Sequence, residues 1–319
     1  MTRPTPASLL PIDVEIVRMA TRFTAVRPMH LVAWTGASPW TVRAGLRRLT
    51  DSGLIRTAPV ILHLRDATGQ VRAMSTTVYV ATSAGAKAAG SWTVAGYDDL
   101  VSLSAPRPSA ATADHTSAVA DLACWYRRSG FEIVAEREIV SMERPTKLGR
   151  GRPPAVAWTT AISPIGGGVH PPDLVACAAD GTPWAVELER ARKPVATYKE
   201  VIGAYHQIGR GQVWHVGSAA TGKRIHDACA QLGIPLAPRA GMYLSPDGLV
   251  RMQLWTPAPS AGGGPETWGA RRWVPAQAPA GLPTPAVRPD LTASWKLGAI
   301  VDPESVSEPT ESSWVSTAA

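Results

Sequence analysis

Three carboxylates stand at corresponding ends of two neighbouring apolar runs in the segment HPPDLVACAADGTPWAVELERARK, residues 170–193. Asp173 begins the first run, and Glu187 and Glu189 end the second. The Asp-Gly pair at 180–181 favours a tight reversal, so the two runs are predicted to pair as antiparallel strands. This pairing brings the three carboxylates to the same end of one hairpin.

The number of residues in the reversal decides which face each carboxylate occupies, because side chains alternate between the faces of a strand. A two-residue loop sets Asp173 opposite Leu188, whereas a three-residue loop sets it opposite Glu187 or Glu189. Pro183 disfavours regular pairing directly after the turn, so we expect an odd loop or a bulge. Carboxylates on one face repel one another without a cation, and their hard oxygens suit Mg²⁺ or Mn²⁺.

The same hairpin has a purely structural interpretation. The strand that carries Glu187 and Glu189 can alternate between inward and outward side chains. The two glutamates would then form ordinary ion pairs with Arg190, Arg192 or Lys193, and no metal would be involved.

Pro172-Asp173, followed on the next strand by Glu187-Leu188-Glu189 and flanked by two helices, resembles the PD-(D/E)XK nuclease superfamily. The resemblance implies that Asp173 and Glu187 hold a divalent metal. A Lys normally follows two residues after the Glu and acts on the attacking water, but here that position is Glu189. Some restriction endonucleases of the superfamily carry a second Glu there and keep activity, whereas others move the Lys to the neighbouring helix. Lys193 and Lys199 are the candidates for a relocated cation. Lys199 is preferred, because it falls on a helix face separate from the apolar stripe.

A second group of residues suggests an interface with duplex DNA. The segment SPWTVRAGLRRLTDSGLI, from Ser38, predicts a helix whose core face carries Val42, Leu46 and Leu49. Arginines on the opposite face suit phosphates or the guanine edge, and a hydroxyl near the helix start suits a phosphate. The predicted DNA-contacting residues on this helix and beside the following turn are Trp40, Thr41, Arg43, Arg47, Arg48, Arg65 and Arg72.

This N-terminal part resembles winged helix-turn-helix domains over about residues 10–95. Three predicted helices precede two β-rich runs around a Thr-Gly turn at 68–69, and the segment YVATSAGAKAA is similar to what commonly follows the wing. The resemblance implies that the third helix enters a DNA groove. A winged helix that serves as a protein–protein module is the alternative.

Composition divides the chain further. A Ser/Ala/Pro-rich stretch separates two globular parts, and the last 63 residues contain 10 prolines without periodicity. The expected fold is α/β (α+β), a winged helix domain followed by a PD-(D/E)XK-like domain with a mixed central sheet, in which residues 131–140 form a strand. The expected divisions are 1–10 disordered, 11–100 winged helix, 101–113 linker, 114–256 nuclease-like domain and 257–319 disordered tail.

The charge balance agrees with a polyanionic partner, since the net charge is +7. Residues 1–256 carry 28 Lys and Arg against 19 Asp and Glu, whereas the tail carries 4 against 6. The tail's four tryptophans are candidate anchors for a protein partner. Three scattered cysteines indicate buried thiols, and neither a leader peptide nor a membrane-spanning run is evident. A cytoplasmic protein is expected.

Taken together, the winged helix, HTSAVADLACWYR from His115, HPPDLV, VELER and YKEVIGAY resemble the replication-relaxation family of actinobacterial and firmicute plasmids, integrative elements and phages. The resemblance covers about residues 10–215 and implies a role in replicating or relaxing DNA. Two functions stay open. One is a metal-dependent endonuclease or nickase; the other is a catalytically silent DNA-binding regulator or replication accessory protein.

Overall fold

The computed structural model describes residues 9–66, 70–143, 158–161, 169–239 and 242–255. These residues form eight helices and eleven strands, which makes the protein a mixed α/β protein. The chain divides into two compact units. Described residues up to Arg128 and from Ile133 to Glu143 form the first unit, and Ser129–Glu132 with Trp158–Trp255 form the second.

The first half of the chain contains six helices and three strands. They are α1 (Pro11–Arg22), α2 (Pro28–Thr35), α3 (Pro39–Asp51), β1 (Ile55–Arg65), β2 (Val71–Ala81), α4 (Ser83–Ala89), α5 (Ala110–Arg128), β3 (Glu132–Ala135) and α6 (Glu136–Glu143).

Local signals explain where α2 and α3 begin and end. α2 ends at Gly36, whose φ of 69° lies in the left-handed region that glycine adopts without a steric penalty. The hydroxyl of Ser38 accepts a hydrogen bond from the backbone N–H of Thr41 and so caps α3. Val42, Leu46 and Leu49 are buried, as their spacing on one helix face predicts.

β1 and β2 form a two-stranded antiparallel hairpin with continuous pairing from Ile55 opposite Ala81 to Arg65 opposite Val71. Its inner face packs through Leu62, Val78 and Val80 among others, all fully buried. The predicted Thr-Gly turn at 68–69 lies outside the described residues.

The segment expected as a linker and the helix that follows belong to the first unit. Val101 and Leu103 are buried, and α5 begins at Ala110, inside the stretch expected to be a linker. α5 packs against α2 and β1. A buried ion pair joins α5 to the start of α2, because both oxygens of Asp121 accept hydrogen bonds from the Arg27 guanidinium at 3.0 Å. The first unit therefore extends beyond the expected boundary at residue 114.

Residues 131–140 are not one strand. Pairing stops after Ala135, and α6 follows at once. The buried carboxylate of Glu138 accepts the Ala135 N–H at 2.8 Å and an Arg22 hydrogen bond at 2.7 Å. This carboxylate satisfies a donor at the helix start, which explains why a sequence rich in β-branched residues turns helical here.

The second half of the chain contributes eight strands and two helices. They are β4 (Thr160–Ala161), β5 (Val169–His170), β6 (Leu174–Cys177), β7 (Pro183–Glu189), α7 (Val195–Gln207), β8 (Gly211–Val216), α8 (Ala219–Gln231), β9 (Ala237–Arg239), β10 (Met242–Leu244) and β11 (Val250–Leu254).

The central sheet has seven strands in the order β3-β6-β7-β8-β11-β10-β9. β8 runs parallel to β7 and to β11, whereas β6–β7, β10–β11 and β9–β10 are antiparallel, so the sheet is mixed. α7 and α8 cover one face, where Tyr198, Tyr205 and Ile225 pack in a continuous core. Such a sheet holds the ends of β6 and β7 in a fixed position.

Candidate functional site

The β6–β7 hairpin fixes the relative position of the predicted carboxylates. Leu174 pairs with Val186 and Cys177 with Pro183. The Ala178 N–H donates to the Thr182 carbonyl at 2.9 Å, which leaves a three-residue loop, 179–181. One step beyond the Leu174–Val186 pair, this odd loop sets Asp173 opposite Glu187, on the same face of the hairpin.

Asp173 lies just before the first residue of β6. Its Oδ2 accepts the backbone N–H of Leu188 at 2.8 Å. The side chain thus satisfies a donor of β7 at a point where β6 no longer offers a carbonyl group. Asp173 is held close to the end of β7 by this hydrogen bond.

Glu187 is 6% exposed and receives two hydrogen bonds on the same oxygen. Tyr205 on α7 donates its hydroxyl to Oε1 at 2.8 Å, and His170 Nε2 lies 2.9 Å from Oε1. Among the described residues, none contacts Oε2 at hydrogen-bonding distance. One oxygen of Glu187 is therefore anchored, and the other, called the open oxygen below, has no hydrogen-bond partner among the described residues.

The electrostatics of Glu187 and His170 are linked. Burial raises the pKa of Glu187 and the charge of Asp173 adds to this increase, whereas His170 and Tyr205 oppose it. Burial disfavours charged His170, but the charge and hydrogen bond of Glu187 and the charge of Asp173 outweigh it and raise the pKa of the imidazole. Positive charge is thus favoured beside Glu187.

Glu189 is 4% exposed and is neutralised from within the chain. Its Oε2 forms an ion pair with the Lys193 ammonium at 2.6 Å, and its Oε1 accepts the Ala191 N–H at 3.1 Å. Burial opposes the charge of Lys193, but Glu189, then Glu187 and Asp173, raise its pKa. The ion pair expected under the purely structural interpretation is present for Glu189.

Lys193, rather than the preferred Lys199, is the lysine that lies beside the carboxylates. No ion pair links Lys199 to any other residue of the described chain. It lies half-buried on α7, next to Tyr198 in sequence, whereas the short segment after β7 turns Lys193 back onto Glu189. The helical periodicity that favoured Lys199 does not indicate how the loop before α7 turns, and this turn brings Lys193 to Glu189.

The side chains available as ligands determine whether a divalent metal fits at the end of the hairpin. In the part of the chain that the structure describes, no three His, Cys, Asp or Glu side chains are grouped so as to hold a metal ion. Mg²⁺, however, is commonly held by one or two carboxylates together with substrate phosphates. Asp173 and the open oxygen of Glu187 fit this smaller set, whereas both Glu189 oxygens are already engaged.

The exposed face of α3 carries several of the residues predicted to bind DNA. Trp40 is 75% exposed, and Arg43 and Arg47 are exposed as well. Thr41 lies half-exposed at the helix start, with its hydroxyl 2.8 Å from that of Ser38. An aromatic ring and two guanidinium groups thus share the solvent-facing side of this helix.

The other residues predicted to bind DNA differ in their surroundings. Arg48 forms an ion pair with the buried Asp13 at 2.8 Å and so ties α3 to α1. Arg72 pairs with Asp66 at 3.0 Å, next to the turn. Arg65 is the last residue of β1, and its side chain lies outside the described residues. Arg43 and Arg47 are exposed on the same side of α3 as Trp40.

Two contributors to the hairpin site had weak signals in the sequence. His170 adjoins the Pro-Pro-Asp turn, where a lone histidine is usually a packing residue. Tyr205 falls on the apolar face of α7 and is assigned to the core by periodicity alone. A buried tyrosine hydroxyl normally needs a partner, however, and a carboxylate at the end of a neighbouring strand is one.

The fold and the two groups of residues define a mixed α/β protein with a carboxylate hairpin in its central sheet. A family model described as replication-relaxation matches residues 22–219, and the chain belongs to this family. Membership suggests a role in the replication or relaxation of plasmids or other mobile elements. No curated protein and no solved structure matched the chain.

Three further expectations concern a membrane-spanning helix, the tail and the cysteines. Within the described residues, no helix is long and apolar enough to cross a membrane. The tail at 257–319, with its expected protein partner, lies outside the described residues. Cys124, Cys177 and Cys229 are buried and unpaired, as their apolar surroundings predicted.

Proposed function

We propose that this protein binds duplex DNA during the replication or relaxation of a plasmid, integrative element or phage. The exposed face of α3, with Trp40, Arg43 and Arg47, is the observation that carries the proposal. Three helices followed by a two-stranded hairpin are the element order of a winged helix domain, in which the third helix enters the major groove. Guanidinium groups on that helix suit phosphates and guanine edges.

A double variant, Arg43→Ala with Arg47→Ala, tests the DNA interface. Each arginine that neutralises a phosphate contributes about 0.9 to the slope of log K against log salt, so the double variant should lower the slope by about 2. Fluorescence anisotropy with a labelled duplex at several salt concentrations measures the change. Arg48 is left in place, because its ion pair with Asp13 stabilises the packing of α3.

The control carries Lys87→Ala with Arg192→Ala, which removes two exposed positive charges elsewhere on the chain. This variant should keep most of the affinity and the salt slope. If the slope falls equally in both double variants, the binding is non-specific and α3 is not the interface. If the α3 variant folds and binds like the original protein, the proposal fails.

A second candidate function is metal-dependent cleavage of one DNA strand at the β6–β7 hairpin. The observation that favours it is the open oxygen of buried Glu187, directly across the hairpin from Asp173. A PD-(D/E)XK-like site uses such a pair as ligands for Mg²⁺ or Mn²⁺. A metal held there would activate water and stabilise charge on the phosphate.

The chain's own groups have distinct parts in this proposal. Asp173 and Glu187 would bind the divalent metal. His170 and Tyr205 fix the orientation of Glu187 through its Oε1 atom. Glu189 holds the Lys193 ammonium near both ligands, where positive charge can stabilise a developing phosphorane-like anion. In this arrangement Lys193 replaces the lysine that the superfamily carries two residues after the glutamate.

Supercoiled plasmid incubated with the purified protein and Mn²⁺ distinguishes catalysis from a silent site. A nickase converts the plasmid to the open circular form, and Asp173→Ala abolishes the conversion. Lys193→Gln should slow nicking by at least about tenfold, whereas Lys199→Gln should have little effect. If the original protein produces no nicks, the hairpin site is catalytically silent; if Asp173→Ala nicks equally, the cleavage does not come from this site.

A further inference from the structure

A pocket of about 650 Å³ opens in the first unit, away from the hairpin site. It lies between the base of the β1–β2 hairpin, the start of α4, the segment before α5 and the helix α6. Its polar lining consists of Arg56, Thr82, Ser83, Ser104, Arg107 and Arg137. Three arginines thus face one concavity, and none of the described residues that line it is acidic.

The charges of two of these arginines are not compensated within the described chain. Arg56 and Arg107 are exposed, and neither makes an ion pair or a side-chain hydrogen bond to another described residue. Three other arginines of this unit, Arg22, Arg48 and Arg72, differ in this respect, since each pairs with a carboxylate. Like charges that line one pocket repel one another, and a bound anion would remove this repulsion.

Arg137 forms the fixed part of the lining. Its guanidinium donates to the carbonyl of Thr21 and, at 2.9 Å, to the carbonyl of Ser104. Burial lowers the pKa of this guanidinium, because no carboxylate compensates fully for its reduced hydration. The two carbonyl groups set the orientation of a positive charge before any ligand arrives.

We propose that this pocket binds a phosphate-bearing anion. Planar guanidinium groups bind phosphate oxygens through paired hydrogen bonds, and the hydroxyls of Ser83 and Ser104 are neutral donors beside them. The volume lies within the range of small-molecule sites, so a diphosphate group with an attached nucleoside can enter.

The pocket is distinct from the DNA interface proposed for α3. Its lining contains none of the α3 residues proposed to contact DNA, Trp40, Arg43 and Arg47. The phosphate can belong to a free compound or to a DNA backbone, and the experiment separates these two sources.

Isothermal titration of the full chain with inorganic pyrophosphate tests the pocket. The original protein should bind, and Arg107→Gln or Arg56→Gln should each weaken binding by at least about tenfold. Both side chains are exposed, so these variants should fold; a melting curve for each one checks this. Lys87→Gln is the matched control, because it removes a positive charge from α4 outside the pocket.

The same variants are then tested against a labelled duplex. If they no longer bind pyrophosphate but keep the duplex affinity, the ligand is a free phosphate compound. If they bind neither, and pyrophosphate displaces the duplex from the original protein, the ligand is a backbone phosphate. The proposal is overturned if millimolar pyrophosphate does not bind, or if Lys87→Gln weakens binding as much as Arg107→Gln. The pyrophosphate titration, which decides whether the pocket binds an anion, does not depend on whether α3 binds DNA.

Discussion

At the scale of single residues, the carboxylates of the hairpin differ in the hydrogen bonds that they already make. Glu189 is satisfied by Lys193 and the Ala191 N–H, so it contributes to stability and to the placement of a cation. Within the described residues, Glu187 is held through one oxygen, Oε1. Two glutamates that are equivalent in the sequence therefore differ in their capacity to accept a ligand.

We expect Mn²⁺ at millimolar concentration to raise the melting temperature of the original protein, because a ligand that binds only the folded state stabilises it by mass action. At ten times Kd this amounts to about 1.4 kcal/mol. Asp173→Asn and Glu187→Gln should abolish the shift. Without metal, Glu187→Gln should be as stable as the original protein or more stable, since burial raises the pKa of this carboxyl.

Two further variants sharpen this test. Glu189→Gln should keep the Mn²⁺ shift, because its oxygens are bound to other groups, and Asp180→Asn at the far end of the hairpin should keep it as well. A shift that survives Asp173→Asn would place the metal elsewhere. The absence of any shift in the original protein would make the hairpin an ion-paired scaffold.

The sequence allows part of this site to be predicted. Pro183 after the Asp-Gly turn favours an odd loop or a bulge, which places Asp173 opposite Glu187 or Glu189, and the register of the structure selects Glu187. The choice between Lys193 and Lys199 could not be made, because it depends on how residues 190–194 turn after β7. The hydrogen bond of Tyr205 to Glu187 could not be predicted either. Helical periodicity assigns an aromatic residue to the core, but it does not indicate where the hydroxyl points.

At the scale of helices and strands, capping residues in the sequence correctly indicate where helices begin and end. Which elements pack together depends on polar interactions between residues that are far apart in the sequence. Gly36 and Ser38 mark the ends of α2 and α3 in the sequence as in the structure. α5 packs against α2 and β1 in the first unit, and its Asp121 pairs there with a residue 94 positions away. Such an ion pair has no local signature.

Asp121→Asn should destabilise the first unit by about 3–5 kcal/mol, because it leaves the Arg27 charge buried without a counterion. Burial alone would raise the pKa of Asp121, but Arg27 and His30 together lower it, so the carboxylate is charged in the folded protein. Chemical denaturation followed by circular dichroism measures the decrease in stability.

Glu15→Gln is the control for this variant. Within the described residues, the ion pairs of Glu15 are the long, partly exposed ones of 3.7 Å with Arg18 and Arg127, and such pairs contribute at most about 1 kcal/mol. If Asp121→Asn costs no more than Glu15→Gln, the buried pair does not hold α5 in the first unit.

At the scale of the whole molecule, the positive charge belongs to residues 1–256. Their 28 Lys and Arg against 19 Asp and Glu give +9, compared with +7 for the full chain. Arg43, Arg47, Arg56 and Arg107 are among the positive charges that remain exposed. Long-range attraction to a polyanion therefore originates in this part of the chain and decreases as salt is added.

Removal of residues 257–319 should leave both stability and DNA binding nearly unchanged. Their composition, rich in proline and without apolar periodicity, offers little surface for burial, so the melting temperature should shift by less than the roughly 2–4 °C that 1 kcal/mol produces in a protein of this size. Duplex affinity should stay equal or increase, because the truncated chain is more positive. Differential scanning calorimetry and anisotropy titrations, each at matched salt, compare the truncated and full chains. A larger fall in melting temperature would mean that these residues pack on one of the two units, and weaker binding would place them in the DNA interface.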